Sequence, residues 1–202
     1  MTHFFSIISR MIIYRREVLS VLPALTTAEI ISQILGILAL VCNIFCYQMK
    51  SPKKLLFWQI TASVMWIMNL GIKEAVVGVL LNVHAVVRLT VYYFAENHKW
   101  ARSKVWLPVF MISAAAIVIL TYTGIPDALA LIGTLCTIYS FSAGDTAKTR
   151  LFTLPSPPCW FVYHLMQKNL GGVLNEVFVF TSIIVGMLRL DRKKVKDSGN
   201  IR

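Results

Sequence analysis

Between Ala28 and Leu190 the chain is a succession of apolar runs parted only by short basic, polar or Pro/Gly breaks. That alternation admits few folds. Hydrophobic residues make up 57% of the chain and charged ones 14%, with a mean hydropathy of +0.68, against roughly 45–50% and 25% in a soluble domain. A chain of this size has no interior large enough to hide so much apolar surface, whereas a bilayer accepts it. An all-α polytopic membrane protein is expected, with too little polar sequence left over for a separate soluble domain.

A helix needs about 20 residues to cross the hydrocarbon core, and seven candidate spans follow one another. The first runs from Ala28 to Tyr47 and stops at Lys50-Ser51-Pro52-Lys53-Lys54. The second, Leu55 to Gly71, is parted by Lys73-Glu74 from the third, Ala75 to Ala95. A basic loop with Lys99, Arg102 and Lys104 precedes the fourth, Val105 to Tyr122. The turn Gly124-Ile125-Pro126-Asp127 leads to the fifth, Ala128 to Ser142. Pro155, Pro157 and Pro158 interrupt the start of the sixth, Leu151 to Met166; the seventh, Leu170 to Leu190, ends at Arg192-Lys193-Lys194.

Charge fixes the expected orientation. With seven spans, fourteen of the 20 Lys and Arg residues fall on one side and five on the other, with Arg88 inside a span. By the positive-inside rule the carboxyl terminus is cytoplasmic and the amino terminus outside. The net charge of +11 then reflects topology and contact with anionic lipid at the cytoplasmic face rather than nucleic acid. Thr2 to Tyr14 is apolar but too short to span: either an interfacial helix with Arg15 and Arg16 at the headgroups, or sequence upstream of a true start at Met11 or later.

One motif occurs twice. Gly78, Leu81 and Asn82 recur as Gly171, Leu174 and Asn175, 93 positions later, and at the same offset Ser63 matches Ser156 and Val86 matches Val179. An amide in hydrocarbon is costly unless a partner or water satisfies it. Two at equivalent places point to a duplicated bundle with a polar site on its pseudo-symmetry axis. The offset pairs the third span with the seventh and the second with the sixth, leaving the fourth as a linker. Because each unit then has an odd number of spans, one intervening helix gives both the same orientation. The expected organisation is an extension (1–26), a three-helix unit (27–96), a loop and linker helix (97–126), a second unit (127–191) and a basic tail (192–202).

Within the seventh span Glu176 is an expensive carboxylate that calls for a partner. Arg88 on the third span is one candidate, with His84 on the same face at i, i+4 spacing. Such a cluster either relays protons, binds a charged group, or is a structural ion pair. His164 reads as a satisfied interfacial histidine near the outer mouth. Cys42, Cys46, Cys136 and Cys159 show no metal-ligand spacing and read as bystander thiols. No metal set, P-loop, dinucleotide fingerprint or nucleophile elbow is present, and Ser142-Ala143-Gly144-Asp145 lacks the first glycine of an intramembrane aspartyl protease motif. Neither an enzyme nor a cofactor is expected.

The stretch Ser156-Pro157-Pro158-Cys159-Trp160-Phe161-Val162-Tyr163-His164 is followed by Gly171-Gly172, Glu176 and Met187-Leu188-Arg189-Leu190. Together with Leu81-Asn82, Arg88 and the Gln48-Met49-Lys50 exit, it resembles the YgjV-type bacterial inner-membrane proteins over roughly residues 28 to 192. That family is similar to the SWEET and PQ-loop sugar and solute transporters, which have a three-plus-one-plus-three arrangement. The resemblance implies seven spans in two parallel repeats, a location in the bacterial inner membrane, and alternating-access movement of a small polar, sugar-like solute. It also implies that Asn82 and Asn175 reach a central cavity, with Ser63 and Ser156 nearby and Trp66 and Trp160 as apolar walls. The bland alternative is that the two asparagines bond each other as helix-packing glue, in a scaffold or accessory subunit that transports nothing. Where SWEET-type proteins spread prolines over several helices, this chain gathers them at Pro155, Pro157 and Pro158, the expected hinge, and it has no Pro-Gln pair.

Overall fold

Every regular element of residues 26–191, the part of the chain described by the computed structural model, is helical. The expectations for the first 25 residues and for the tail from 192 onward lie outside the described residues. Eight α-helices follow in order: α1 (Thr27–Gln48), α2 (Pro52–Ile72), α3 (Val76–Phe94), α4 (Trp106–Thr121), α5 (Ile125–Ser142), α6 (Thr146–Thr153), α7 (Ser156–Met166) and α8 (Leu170–Gly186). The last continues into a π-helical turn, Met187–Asp191. Five of them, α1, α2, α3, α5 and α8 with its extension, are long and apolar enough to cross a membrane. At 16 residues α4 is a shorter apolar helix. The residues of the expected sixth span, Leu151 to Met166, fall in two shorter helices, the end of α6 and all of α7, broken at Leu154–Pro155 and neither long enough to cross a membrane by itself.

Local chemistry explains the breaks. Pro52 sits in the first turn of α2, and Pro157 and Pro158 sit in the first turn of α7, where a missing N–H removes no helical bond. The prolines therefore start a helix rather than kink one. Asp145 caps α6, its carboxylate accepting from the N–H groups of Ala147 (2.9 Å) and Lys148 (3.1 Å), a favoured place for aspartate at a helix start.

The turns after α2 and after α7 share one conformation. Glu74 (φ 55°) and Lys168 (φ 53°) are the two non-glycine residues with positive φ among the described residues, and they lie 94 positions apart. In each turn the next N–H donates back five residues, Ala75 to the Leu70 carbonyl (3.0 Å) and Asn169 to that of His164 (2.8 Å). A left-handed residue closing the last carbonyls of a helix is normally glycine; here the same closure is made at two charged residues.

Residues 31–191 pack as one unit with two main apolar clusters. Near α4, Phe110, Ala114 and Val118 meet Val77 and Leu81 of α3, Ala130 of α5 and Tyr163 of α7. At the end bearing the 96–104 loop, Tyr47, Leu55, Leu89, Phe141 and Ile183 bring α1, α2, α3, α5 and α8 together. The outer surface stays apolar, with Ile119 and Leu120 exposed by 73% and 84%, far more contiguous hydrophobic surface than a monomer in water carries.

Candidate functional site

A cavity of about 90 Å³ lies among the helices. Ser63 and Trp66 of α2, Asn82 of α3, Ser156 and Trp160 of α7 and Asn175 of α8 all line it, as do Arg88, Glu176 and Pro157. His84 does not. It turns to α4, where its Nε2 is 2.9 Å from the Ser113 hydroxyl and its ring meets Phe110 edge-on. Pro158 faces a lateral crevice of about 290 Å³ that also reaches Glu176, and Pro155 lines neither.

The two asparagines of the repeat do not bond each other. Asn175 accepts from Asn43 Nδ2 (3.1 Å) and donates to Glu176 Oε1 (2.8 Å); Asn82 Nδ2 donates to the Gly78 carbonyl of its own helix (2.9 Å). Asn43 is a participant that sequence reasoning missed. It lies in the last third of α1, and as an amide in an apolar run it carries the same signal as Asn82, without a repeat to draw attention to it.

The tryptophans bracket a histidine. The His164 ring lies 5.3 Å from Trp66 and 5.8 Å from Trp160, tilted about 30° to each. It is buried, 3% exposed, and lines the cavity rather than an interface. Gly172 makes this possible, since a Cβ there would collide with the imidazole. The ring's Nδ1 is 3.4 Å from Asn169 Nδ2, which also reaches Asn69 Oδ1 at 3.4 Å; Asn69 in turn donates to the Ser32 carbonyl (2.7 Å) and hydroxyl (3.0 Å). This buried polar chain runs from the cavity-lining His164 to Ser32 of α1, beside the turns at Glu74 and Lys168. Sequence reasoning left out Asn69 and Asn169, which sit beside turns and look like ordinary helix-end residues.

The expected Glu–His–Arg cluster is not assembled. Among the described residues the ion pairs are Lys53–Glu96 (3.6 Å) and Arg150–Asp191 (2.6 Å), neither of which involves Arg88 or Glu176. Arg88 is 2% exposed. Its Nη1 and Nη2 each reach only Thr137 Oγ1, at 3.4 Å, its Nε has no acceptor, and its guanidinium carbon lies 6.0 Å from the Phe141 ring.

A separate, larger hollow of about 410 Å³, called the vestibule below, lies at the 96–104 loop with Phe141 and Tyr92 in its wall. Lys53, Arg102 and Lys104 line it against one carboxylate, Glu96. Close by, Arg150 is buried and fully engaged: Nε donates to the Tyr47 carbonyl (2.9 Å), Nη2 to that of Met49 (2.7 Å) and Nη1 to Asp191 (2.6 Å). It serves the carbonyls that the end of α1 leaves without helical partners. A loop cation in the sequence, it is a structural clasp in the fold.

No group of three His, Cys, Asp or Glu side chains placed to hold a metal occurs among the described residues. The amides, hydroxyls, indoles, imidazole, carboxylate and guanidinium that line the cavity can bind and orient a small polar molecule. A family model described as a bacterial inner membrane protein matches residues 30–194. No curated protein and no solved structure matches the chain.

Proposed function

The chain belongs to the Imp-YgjV family of bacterial inner membrane proteins, and from that premise we propose that it moves a small polar solute across the membrane by alternating access. The observation that carries this is the convergence of Ser63, Trp66 and Asn82 with Ser156, Trp160 and Asn175 on one cavity. Residues from two sequence-matched segments flanking a shared polar space are the arrangement expected of a repeat-built transporter.

The architecture that goes with it is a SWEET-like three-plus-one-plus-three bundle. In it α6 and α7 together make the sixth crossing and α4 the linker. Two features favour the duplication. The turns at Glu74 and Lys168 match in dihedral and hydrogen bonding. Side-chain hydrogen bonds also cross between the halves at both corresponding places, from α1 to α8 through Asn43–Asn175 and Gln48–Ser182, and from α3 to α5 through Arg88–Thr137. The charge bias puts the vestibule and the carboxyl terminus in the cytoplasm. At about 90 Å³ the cavity is below the roughly 300–1,000 Å³ of drug-sized sites, so it suits a small solute or must widen, for which the break at Leu154–Pro155 supplies a hinge.

Counterflow in proteoliposomes across sugars, amino acids and vitamins tests this reading. A transported compound whose flux is unchanged in an Asn82→Ala, Asn175→Ala variant removes these residues from the pathway. The rival is a scaffold or accessory subunit. It is favoured by the Asn43–Asn175–Glu176 chain, which satisfies one of the two amides as interhelical glue, and it gains if no compound exchanges through a folded protein.

A further inference from the structure

Two arginines of this bundle are almost fully buried, and they are treated oppositely. Arg150 donates to two carbonyls and a carboxylate at 2.6–2.9 Å. Arg88, at membrane depth, has one hydroxyl shared between two nitrogens at 3.4 Å and an Nε with no acceptor. A guanidinium stays protonated, and a buried charge without compensation is strongly destabilising. Glu176 lines the same cavity yet forms no ion pair with Arg88, its Oε1 being taken up by Asn175. The cation therefore faces the cavity with most of its donor fork free.

We propose that the solute carries a carboxylate and that Arg88 is the residue that binds it. The planar fork of a guanidinium matches a carboxylate in two parallel hydrogen bonds, whereas a sugar hydroxyl supplies no charge to offset the buried cation. The charge of the neighbouring vestibule points the same way. Lys53, Arg102 and Lys104 around the vestibule outnumber Glu96, and such a bias concentrates anions at the mouth of a low-dielectric cleft. Phe141 lines the vestibule and packs against the guanidinium, which places Arg88 just behind the vestibule wall. The inference deepens the transport reading by naming the chemical class of its solute.

The experiment is a binding assay on the purified full-length protein, read by thermal shift and by quenching of cavity tryptophans. The probes are acetate, lactate, glycine and succinate, set against neutral lactamide and glucose. Expected is that at least one carboxylate stabilises the wild-type protein while lactamide and glucose do not. Arg88→Gln should weaken that carboxylate at least tenfold, and Arg88→Lys should retain part of the binding. The wild-type comparison of lactate with lactamide stands even if Arg88→Gln does not fold. Binding of glucose or lactamide that Arg88→Gln leaves intact overturns the inference, and so does the absence of any response to all four carboxylates. Carboxylate binding with no counterflow of any compound leaves this site standing and removes transport; counterflow of a neutral sugar that is indifferent to Arg88→Gln does the reverse.

Discussion

Asn43 donates its amide hydrogen to Asn175 across 132 residues of sequence, tying the first helix to the last inside the bundle at 3.1 Å. Both residues are buried, so each depends on the other to offset the cost of an amide away from water. Asn175→Ala is expected to lower stability by about 1–2 kcal/mol by stranding Asn43 Nδ2 and releasing Glu176. A double-mutant cycle on thermal unfolding in detergent should give a coupling of about 0.6 kcal/mol and no more than about 1.7, the span found for interhelical hydrogen bonds in membranes. Additive single effects would place the contact outside the energetics of folding.

Arg150 should be far less replaceable. Removing it leaves the Tyr47 and Met49 carbonyls and the Asp191 carboxylate without their shared donor. Breaking a buried pair from one side costs about 3–5 kcal/mol, so Arg150→Ala should fail to accumulate in membranes or melt well below wild type. Asp191→Asn, at a side chain 22% exposed, should cost about 1 kcal/mol. Equal losses from the two variants would mean that the clasp works through the ion pair and not through the helix-end carbonyls.

Gly172 and His164 form a size pair. A Cβ on residue 172 would drive into an imidazole already held between Trp66 and Trp160, and overpacking of this kind costs about 1–3 kcal/mol. Gly172→Ala should therefore destabilise, and adding His164→Ala should recover part of the loss by vacating the space. If the second substitution only deepens the defect, the ring is not what the glycine accommodates.

The proposed orientation, with the carboxyl terminus in the cytoplasm on the strength of the charge bias, is open to direct labelling. In a variant lacking Cys42, Cys46, Cys136 and Cys159, a cysteine at Lys99 or Lys196 should be shielded from an impermeant maleimide in intact cells. A cysteine at Lys73 or Lys168 should react. The opposite pattern would invert the topology and put the basic vestibule outside.

Much of the helical layout could be read from hydropathy. The first apolar run, Ala28 to Tyr47, is matched by a helix from Thr27 to Gln48, and the fourth, Val105 to Tyr122, by one from Trp106 to Thr121. The sixth run was harder to read. Three prolines announce a break but not its place, because proline is silent in the first turn of a helix and disruptive further in.

The candidate site was legible only in part, and Arg88, Glu176 and His164 show why. Spacing along a helix tells which side chains share its face, as it does for His84 and Arg88. It does not tell which neighbouring helix that face meets. His84 turned to Ser113 on α4, while Arg88, four residues on, points into the cavity. Glu176 found Asn175 beside it rather than Arg88 across the bundle. His164 was pulled inward because Gly172, on the next helix, leaves room for a ring.

From the sequence alone came what depends on one helix at a time: the membrane as solvent, the order of apolar runs, and the recurrence of Asn82 as Asn175. Hydrophobicity and periodicity are local quantities, summed along a segment. Which amides meet, which arginine is satisfied and which is left open were decided by helix packing. Those outcomes turn on distances of an ångström or two between residues a hundred positions apart, where one glycine or one rotated face exchanges one partner for another.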